Sequence, residues 1–490
     1  MQELIQYIKH NKVNAATLAA ETSDEKNNPL PKRFIYTSLQ KHARDFFRKG
    51  THPKMIALSG LRGVGKTTLM WQTAQYVYNN IHKHIYFISA DTLKLMGFNL
   101  YQAIRTLEEH ILKKPLNQPE HQLMLLIDEV HDAENWDKTL KYLYDRSKGI
   151  FTLVTGSSAL LLHQSPDLAS RCSFLKVYPF SFPEFILSKS WIELGKDRAL
   201  LPVGGLSDAL RQMIFYSEDY EQLKESVKAK EQVITEYFQK TEELPLRSLT
   251  RASSSLETLR EEYISYHNIA RFLSIFNKGM IIHRIISLFD RIITKDIPDL
   301  DPEEAGLLHR ILLRLAASNQ LNFQTLAKEF RIKEKKVENF IQTLAQAEVL
   351  NLFYPHAGLR SKTGMNRKAF FMSPSLRKAL YERMYGHVTT PDLRAKLYED
   401  IVAMHLRRNL DSALLSYGIG YTKNPDFIIE TMGKPILLEV GINKTDTRQI
   451  TNYDTQAYRY GLIINAKIKK PRYNDKRQAI SLPLHWFLLL

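Results

Sequence analysis

Apolar positions along this 490-residue chain follow two periods, and the changes between them mark out its elements. Residues 54–59, 84–90, 123–129 and 151–155 are short continuous apolar runs, the pattern of strands buried on both faces in a parallel sheet. Thr67–Tyr78 instead repeats at helical spacing, with Leu69, Thr73, Ala74 and Val77 on one side, and Leu100–Lys113 gives a second helical pattern. Strands alternating with helices predict a doubly wound α/β core. Farther on, residues 217–243 are charged and lack a well-defined apolar period, and a Ser-Ser-Ser tract follows within 247–255; this predicts an inserted, solvated helical hairpin with a mobile connection. Three helices are predicted at Glu303–Ala317, Phe323–Phe330 and Lys335–Glu348, the last carrying Val337, Phe340, Ile341 and Leu344 on one face. A strand-like hairpin follows them, completing a winged helix-turn-helix pattern. In the last hundred residues Glu399 falls on a helix, Ile436–Glu439 on a strand, and Gln456 and Tyr460 one helical turn apart.

The resulting division is a helical segment at 1–50, an α/β core at 51–190, a helical lid or insertion at 191–300, a winged helix at 301–385 and a further α/β domain at 386–490. It exceeds the prior of about three domains for a chain of this length. Composition is that of a soluble globular protein, 44% hydrophobic and 24% charged, and no apolar run approaches the ~18 residues that cross a bilayer. The start, MQELIQYIKHNK, has no apolar core ahead of a small-residue cleavage site, and the single cysteine, Cys172, excludes an internal disulfide framework or a cysteine-based zinc site. The expectation is a cytoplasmic protein with no membrane partner.

Between the first strand and the first helix lies Gly60-Leu61-Arg62-Gly63-Val64-Gly65-Lys66-Thr67, followed by Thr68. This is GxxxxGK[ST] in its strand–loop–helix context. Gly60, Gly63 and Gly65 let the backbone curl so that the N–H groups around Val64 point at phosphates, with the helix N-terminus adding a favourable dipole. Lys66 is expected on the β- and γ-phosphates of ATP and Thr67 on Mg²⁺. The run Leu123–Glu129 ends in two acids, a Walker B pattern: Asp128 would hold the magnesium and Glu129 would act as general base toward water. Past the strand Phe151–Thr155, Ser157 is the candidate sensor of the γ-phosphate, although Gly156-Ser157-Ser158 reads equally as a turn. Arg171, just before the apolar stretch Phe174–Phe180, is a candidate arginine finger acting in a neighbouring subunit's site.

Charge adds a second class of candidate. The formal net charge is +16, which suits a polyanionic partner because phosphates release condensed counterions to Lys and Arg. Between Asn351 and Lys378 stand Arg360, Lys362, Arg367, Lys368, Arg377 and Lys378 with no acid, beside a recognition helix whose first turn carries Lys333, Lys335 and Lys336. The candidates for DNA contact are Lys333, Lys335, Lys336, Arg360, Lys362, Arg367 and Lys368. A solvated hairpin, or a winged helix that docks protein, would read similarly. Phe353, Tyr354, Phe370 and Phe371 could stack on bases, though strand alternation favours core packing. Lys467, Lys469, Lys470, Arg472, Lys476 and Arg477 form another basic cluster.

The strings GLRGVGKTT at Gly60–Thr68, LLIDE at Leu125–Glu129, VTGSS at Val154–Ser158 and YPFSFPEF at Tyr178–Phe185 together resemble a prokaryotic family of AAA+-type ATPases. Its members join an ATPase core, a winged helix and a C-terminal fold related to restriction endonucleases. The resemblance continues at Ile293–Ile297 and covers most of the chain outside 187–260. In the family an Ala-Gly-Arg string precedes the YPFSFPEF-like one; Arg171 holds the arginine's place here, with Ser170 for the glycine. The C-terminal Asp426 and Glu439, separated by twelve residues, suit a hairpin that brings two carboxylates together, as in a Pro-Asp…Glu-x-Lys nuclease. Gly441 takes the lysine's position, so a silent nuclease-like fold is expected, with Lys444 as the residue that could substitute.

The expectation is an oligomeric, DNA-stimulated ATPase that translocates along or remodels duplex or branched DNA, as in branch migration. Its cofactors are ATP and Mg²⁺, and its partners are DNA and further copies of the chain, a hexameric ring among the arrangements. The alternatives are an ATP-dependent signalling switch in a defence-type system and an ATP-regulated nuclease.

Overall fold

The computed structural model describes residues 1–118, 122–156, 168, 170–195, 204–249, 255–297, 300–318, 320–356, 367–386, 389–418, 424–443, 450 and 456–490. The chain forms two compact units, Met1–Tyr178 with Gln346–Glu348, and Pro179–Ala345 with Val349–Leu490. Among the described residues no helix is long and apolar enough to cross a membrane.

The first unit is built on five parallel strands, β1 (Met55–Ser59), β2 (Ile85–Ser89), β3 (Leu123–Asp128), β4 (Ile150–Thr155) and β5 (Ser173–Lys176), in the order β2-β3-β4-β1-β5. The inner strands β1 and β4 are buried along their whole length, which is why they read as unbroken apolar runs. The N-terminal fifty residues belong to this unit. Backbone N–H groups of Val13 and Phe87 donate to Ile85 and Asn11 carbonyls at 2.9 and 3.0 Å, so residues 11–13 cover the edge that β2 would otherwise expose. Leu4 and Ile8 enter the same core as Tyr86, Leu125 and Ile127. The helices Ala15–Thr22 and Ile35–Lys49 both pack on Lys66–Asn80.

The second unit opens at Pro179, inside the YPFSFPEF string, whose residues 181–185 are structural. Ser181 and Glu184 form a capping box at the start of the helix Phe182–Leu194, and Phe182 and Phe185 pack tilted against Tyr263 with centroids 5.4 and 5.5 Å apart. Glu184 is also bound by Arg408 at 2.8 Å.

Residues 217–243 differ from expectation. Tyr220–Glu242 is one helix with Tyr220, Leu223, Val227, Ile234, Phe238 and Thr241 buried. That stripe is sparse, one or two residues per turn among many charges, and therefore escapes a reading tuned to broad apolar faces. It is a packed element: Phe238 meets His485 edge-on at 4.7 Å.

Helices Pro302–Ala317, Phe323–Phe330 and Glu334–Gln346 accompany β6 (Gln320–Leu321), β7 (Leu350–Pro355) and β8 (Arg367–Phe371), with β8 antiparallel to both other strands. The sheet does not stop there. β7 pairs in parallel with β9 (Leu415–Tyr417), and β10 (Phe427–Ile429), β11 (Ile436–Gly441), β12 (Tyr460–Asn465), β13 (Arg472–Asn474) and β14 (Ala479–Pro483) extend it to nine strands, ordered β13-β14-β12-β11-β10-β9-β7-β8-β6. Phe353 and Phe370 pack on Phe427 at 5.3 and 5.1 Å, so these rings serve the core, while Tyr354 stays partly exposed. Tyr460 corrects another expectation. It begins a strand held between β11 and β14, because Tyr460–Asn465 is an apolar run buried on both faces; Gln456 and Tyr460 do not share a helix.

Arg377, counted from the sequence with the basic hairpin, is fully buried. Its guanidinium binds Asp400 at 2.5 and 2.9 Å and donates to the carbonyls of Leu315 and Ala316 at 2.9 and 3.0 Å, while Asp400 accepts from the Phe371 N–H at 2.9 Å. One ion pair thus ties the helices Pro302–Ala317, Pro374–Tyr385 and Pro391–Asn409 to β8. Arg377→Met would leave the Asp400 carboxylate buried without its cation, and a loss of about 3–5 kcal/mol is expected from urea unfolding, partly recovered when Asp400→Asn is added. An unchanged unfolding midpoint would show that the pair carries no such weight.

Candidate active site

Three strand ends meet at one edge of the first sheet. Because β4 lies between β1 and β3, the loop after β1 and the acids after β3 flank the end of β4. The loop Gly60–Gly65 is anchored from below by Leu61 and Val64, both buried. Gly60 cannot carry a side chain, since a Cβ would sit 2.2 Å from the Val177 carbonyl oxygen beyond β5. Gly65, at φ +97°, turns the chain into the helix Lys66–Asn80.

Lys66 is buried, and its ammonium donates to the carbonyls of Gly60 at 2.8 Å and Leu61 at 3.3 Å. The Thr67 hydroxyl donates to Asp128 at 3.1 Å. Val64 and Thr68 complete the loop and the first helical turn. An ammonium, a hydroxyl and a carboxylate converge where glycines open the backbone, and this donor set fits a triphosphate with its magnesium.

Glu129 follows Asp128 with φ +49°, a left-handed conformation uncommon for a side chain of its size. Its Oε1 lies 4.0 Å from Arg62 and its Oε2 3.5 Å from His131 Nδ1. Burial raises its pKa; Lys66 and Arg62 pull the value down, and Asp128 and Asp132 push it up.

Several contributors carry little or no sequence signal. Thr155 closes β4, and its hydroxyl donates to Asp128 and accepts from the Glu129 N–H at 3.2 Å. A polar residue ending an apolar run was the available hint. Ser157, the expected sensor, lies outside the described residues, and Thr155 is the side chain from β4 that touches the Walker B acids. Arg33, buried, donates to the carbonyls of Val64 at 2.7 Å and Tyr178 at 3.0 Å, buttressing the phosphate loop from a segment with no motif. Arg171 donates to Asp145 at 2.8 Å, so service in a neighbouring site requires breaking that pair. Cys172 is buried and its thiol is pushed up to about 12, which keeps it unreactive.

The basic hairpin is less available than its sequence suggests. Arg360 and Lys362 lie outside the described residues. Arg367 is buried and bound to Glu338 at 3.0 Å, and Lys378 is buried with Glu382 at 2.7 Å; like Arg377, both are internal ion pairs rather than surface cations. Lys335 and Lys336 pair with Glu338 and Glu304 at 3.0 and 2.8 Å, Lys368 lies over the Tyr417 ring, and Lys333 is exposed.

In the second unit the register Phe427↔Leu438 places Asp426 next to Glu439 across the β10–β11 pair, and Asp426 accepts from the Val440 N–H at 2.9 Å. Lys444 lies outside the described residues. Among the described residues no group of three or more His, Cys, Asp or Glu side chains is arranged to hold a metal.

Residues 52–186 match the family described as AAA domain, and residues 280–385 match a domain of unknown function. An uncharacterized protein of Methanocaldococcus jannaschii is 26% identical over 501 aligned positions, covering 100% of this chain and 95% of that one. Solved structures with partial likeness include the Holliday junction branch migration motor RuvB of Thermotoga maritima, at 14% identity and TM-score 0.28 over 68% of this chain and 92% of that one. Another is Cdc6p of Pyrobaculum aerophilum, at 13% identity and TM-score 0.30 over 74% of this chain and 98% of that one. The α/β class rests on the sheet order and loop geometry above.

Thr155→Val keeps the side-chain shape but removes the hydroxyl shared by Asp128 and Glu129. A stability loss of about 1–2 kcal/mol is expected in thermal unfolding, whereas Thr155→Ser, which keeps the hydroxyl, should lose little. Equal stability of the Val and Ser variants would remove Thr155 from this role.

Proposed function

We propose that the chain is an oligomeric ATP-hydrolysing ATPase that acts on DNA, translocating along or remodelling duplex or branched substrates. The observation that carries the reading is the Thr67–Asp128 contact at 3.1 Å, with buried Lys66 on one side and Glu129 on the other. The AAA domain match over the same residues supports it.

In this reading the N–H groups of the Gly60–Thr68 loop bind phosphate oxygens, and Lys66 turns from the Gly60 and Leu61 carbonyls toward them. Thr67 and Asp128 would hold Mg²⁺, which would neutralise charge on the phosphates. Glu129 accepts the proton of the attacking water, with His131 and Arg62 orienting its two oxygens. Arg171, released from Asp145, serves the site of a neighbouring copy. Helices Pro302–Ala317, Phe323–Phe330 and Glu334–Gln346 with the β7–β8 hairpin support a winged-helix reading, in which Lys333 is the cation best placed to meet DNA. Asp426 and Glu439 read as the remnant of a nuclease site, with Gly441 where the activating lysine would stand.

Lys66→Ala is expected to abolish nucleotide binding or turnover. Glu129→Gln should retain ATP yet lower turnover by about 10²–10⁴-fold. The base works only when ionised, and burial raises its pKa, so turnover should be full above that raised value and fall as pH drops through it, at higher pH than an ordinary glutamate gives. Arg62→Ala removes a charge that lowers the pKa, which moves the acid limb farther up. ATPase rates measured across pH with duplex, forked and junction DNA check all three. Normal hydrolysis by Glu129→Gln would remove Glu129 as the base, and a rate indifferent to every DNA would sink the DNA reading.

A further inference from the structure

A concentration of cations that the nucleotide site does not use surrounds the strand at the end of the nine-stranded sheet. β13 pairs antiparallel with β14, through Arg472↔Ser481 to Asn474↔Ala479, and its other edge pairs with no strand among the described residues. Lys467, Lys469, Arg472, Lys476 and Arg477 are exposed and form no ion pair among the described residues. Asp475, the one acid from Tyr460 to the end of the sequence, is already engaged by the Lys224 ammonium at 2.7 Å and the Tyr220 hydroxyl at 2.6 Å. These partners come from the helix Tyr220–Glu242, which also sets Lys228 over the Tyr473 ring at 5.5 Å; Lys470 lies 3.9 Å from Glu231.

Charged side chains on an edge strand discourage sheet-to-sheet aggregation, but Arg472 alone of the five lies on β13, and the rest flank it. The hairpin cations were largely spent internally, and these were not. A lone cluster of this kind holds its charge at a cost in self-repulsion that a polyanion relieves.

We infer that residues 467–477, with the adjoining face of the helix Tyr220–Glu242, bind the phosphate backbone of duplex DNA without reading its sequence. No large apolar side chain is exposed between 467 and 477, which disfavours insertion into a bilayer. Tyr473 is half-buried beneath Lys228, so no free aromatic face is offered to the bases of a single strand. What remains is point charge suited to phosphates, which positions a duplex but does not specify it.

This deepens the DNA reading and rests on it. The test uses the full chain and a fluorescein-labelled duplex, with anisotropy measured across a salt series. One variant carries Lys467→Ala, Lys469→Ala, Arg472→Ala, Lys476→Ala and Arg477→Ala; another carries Lys333→Ala, Lys335→Ala and Lys336→Ala. All five replaced side chains of the first variant are exposed, and an unchanged thermal midpoint confirms that it is folded. Its affinity should fall at least tenfold at moderate salt, and the slope of log K against log salt should flatten by about 4, near 0.9 per lost phosphate contact. Affinity and slope equal to the parent's, or a loss confined to the second variant, would overturn the inference while leaving the DNA reading standing. Absence of duplex binding by the parent protein would overturn both.

Discussion

The Asp128 carboxylate is gripped from two sides, by the Thr67 hydroxyl and by the Thr155 hydroxyl, and the nucleotide site depends on that arrangement. Each hydroxyl belongs to the exit of a different strand: Thr67 follows β1 through the loop, Thr155 ends β4, and Asp128 itself ends β3. In a parallel sheet these exits lie on one edge, so short side chains suffice to join them. The same contact fixes the loop that would cradle phosphates relative to the acid that would hold a metal. Arg33 does comparable work from behind, and without it the Val64 carbonyl at the turn would lose its partner.

How much of this was legible follows from how local each signal is. The loop reads directly, because Gly65 at φ +97° and the lysine after it have meaning within a few residues. Strands β1, β3 and β4 read for a similar reason: burial on both faces leaves few polar positions, such as Thr152 and Thr155. Arg33 and Thr155 act through contacts 31 and 27 residues away, and no period announces them. The helix Tyr220–Glu242 was read as solvated because its buried stripe is sparse, and Tyr460 as helical because its neighbours on β11 and β14 are distant in sequence.

Charge was the least legible property, because a sequence counts cations without saying which are already paired. Arg367, Arg377 and Lys378 look identical in composition to Lys469 and Arg472, yet the first three are buried against carboxylates and the last two are exposed. A buried guanidinium with a matched carboxylate organises a core and contributes almost nothing to the surface field. The acid-free stretch from Asn351 to Lys378 was therefore misleading in a particular way: its counter-charges, Glu338, Asp400 and Glu382, lie outside the window in sequence and beside it in space.

That same pairing bears on how the second unit can work. The β7–β8 hairpin is no appendage: β7 pairs in parallel with β9, Phe353 and Phe370 share a core with Phe427, and Asp400 reaches across to the Phe371 N–H. Separating the hairpin from the C-terminal strands would break a sheet, open an aromatic core and strand a buried carboxylate at once. Each cost alone amounts to about 1 kcal/mol or more, and the last to several. The hairpin, the Asp426–Glu439 pair and the cations around β13 therefore share one continuous sheet, and no one of them can be moved away from the others without those costs.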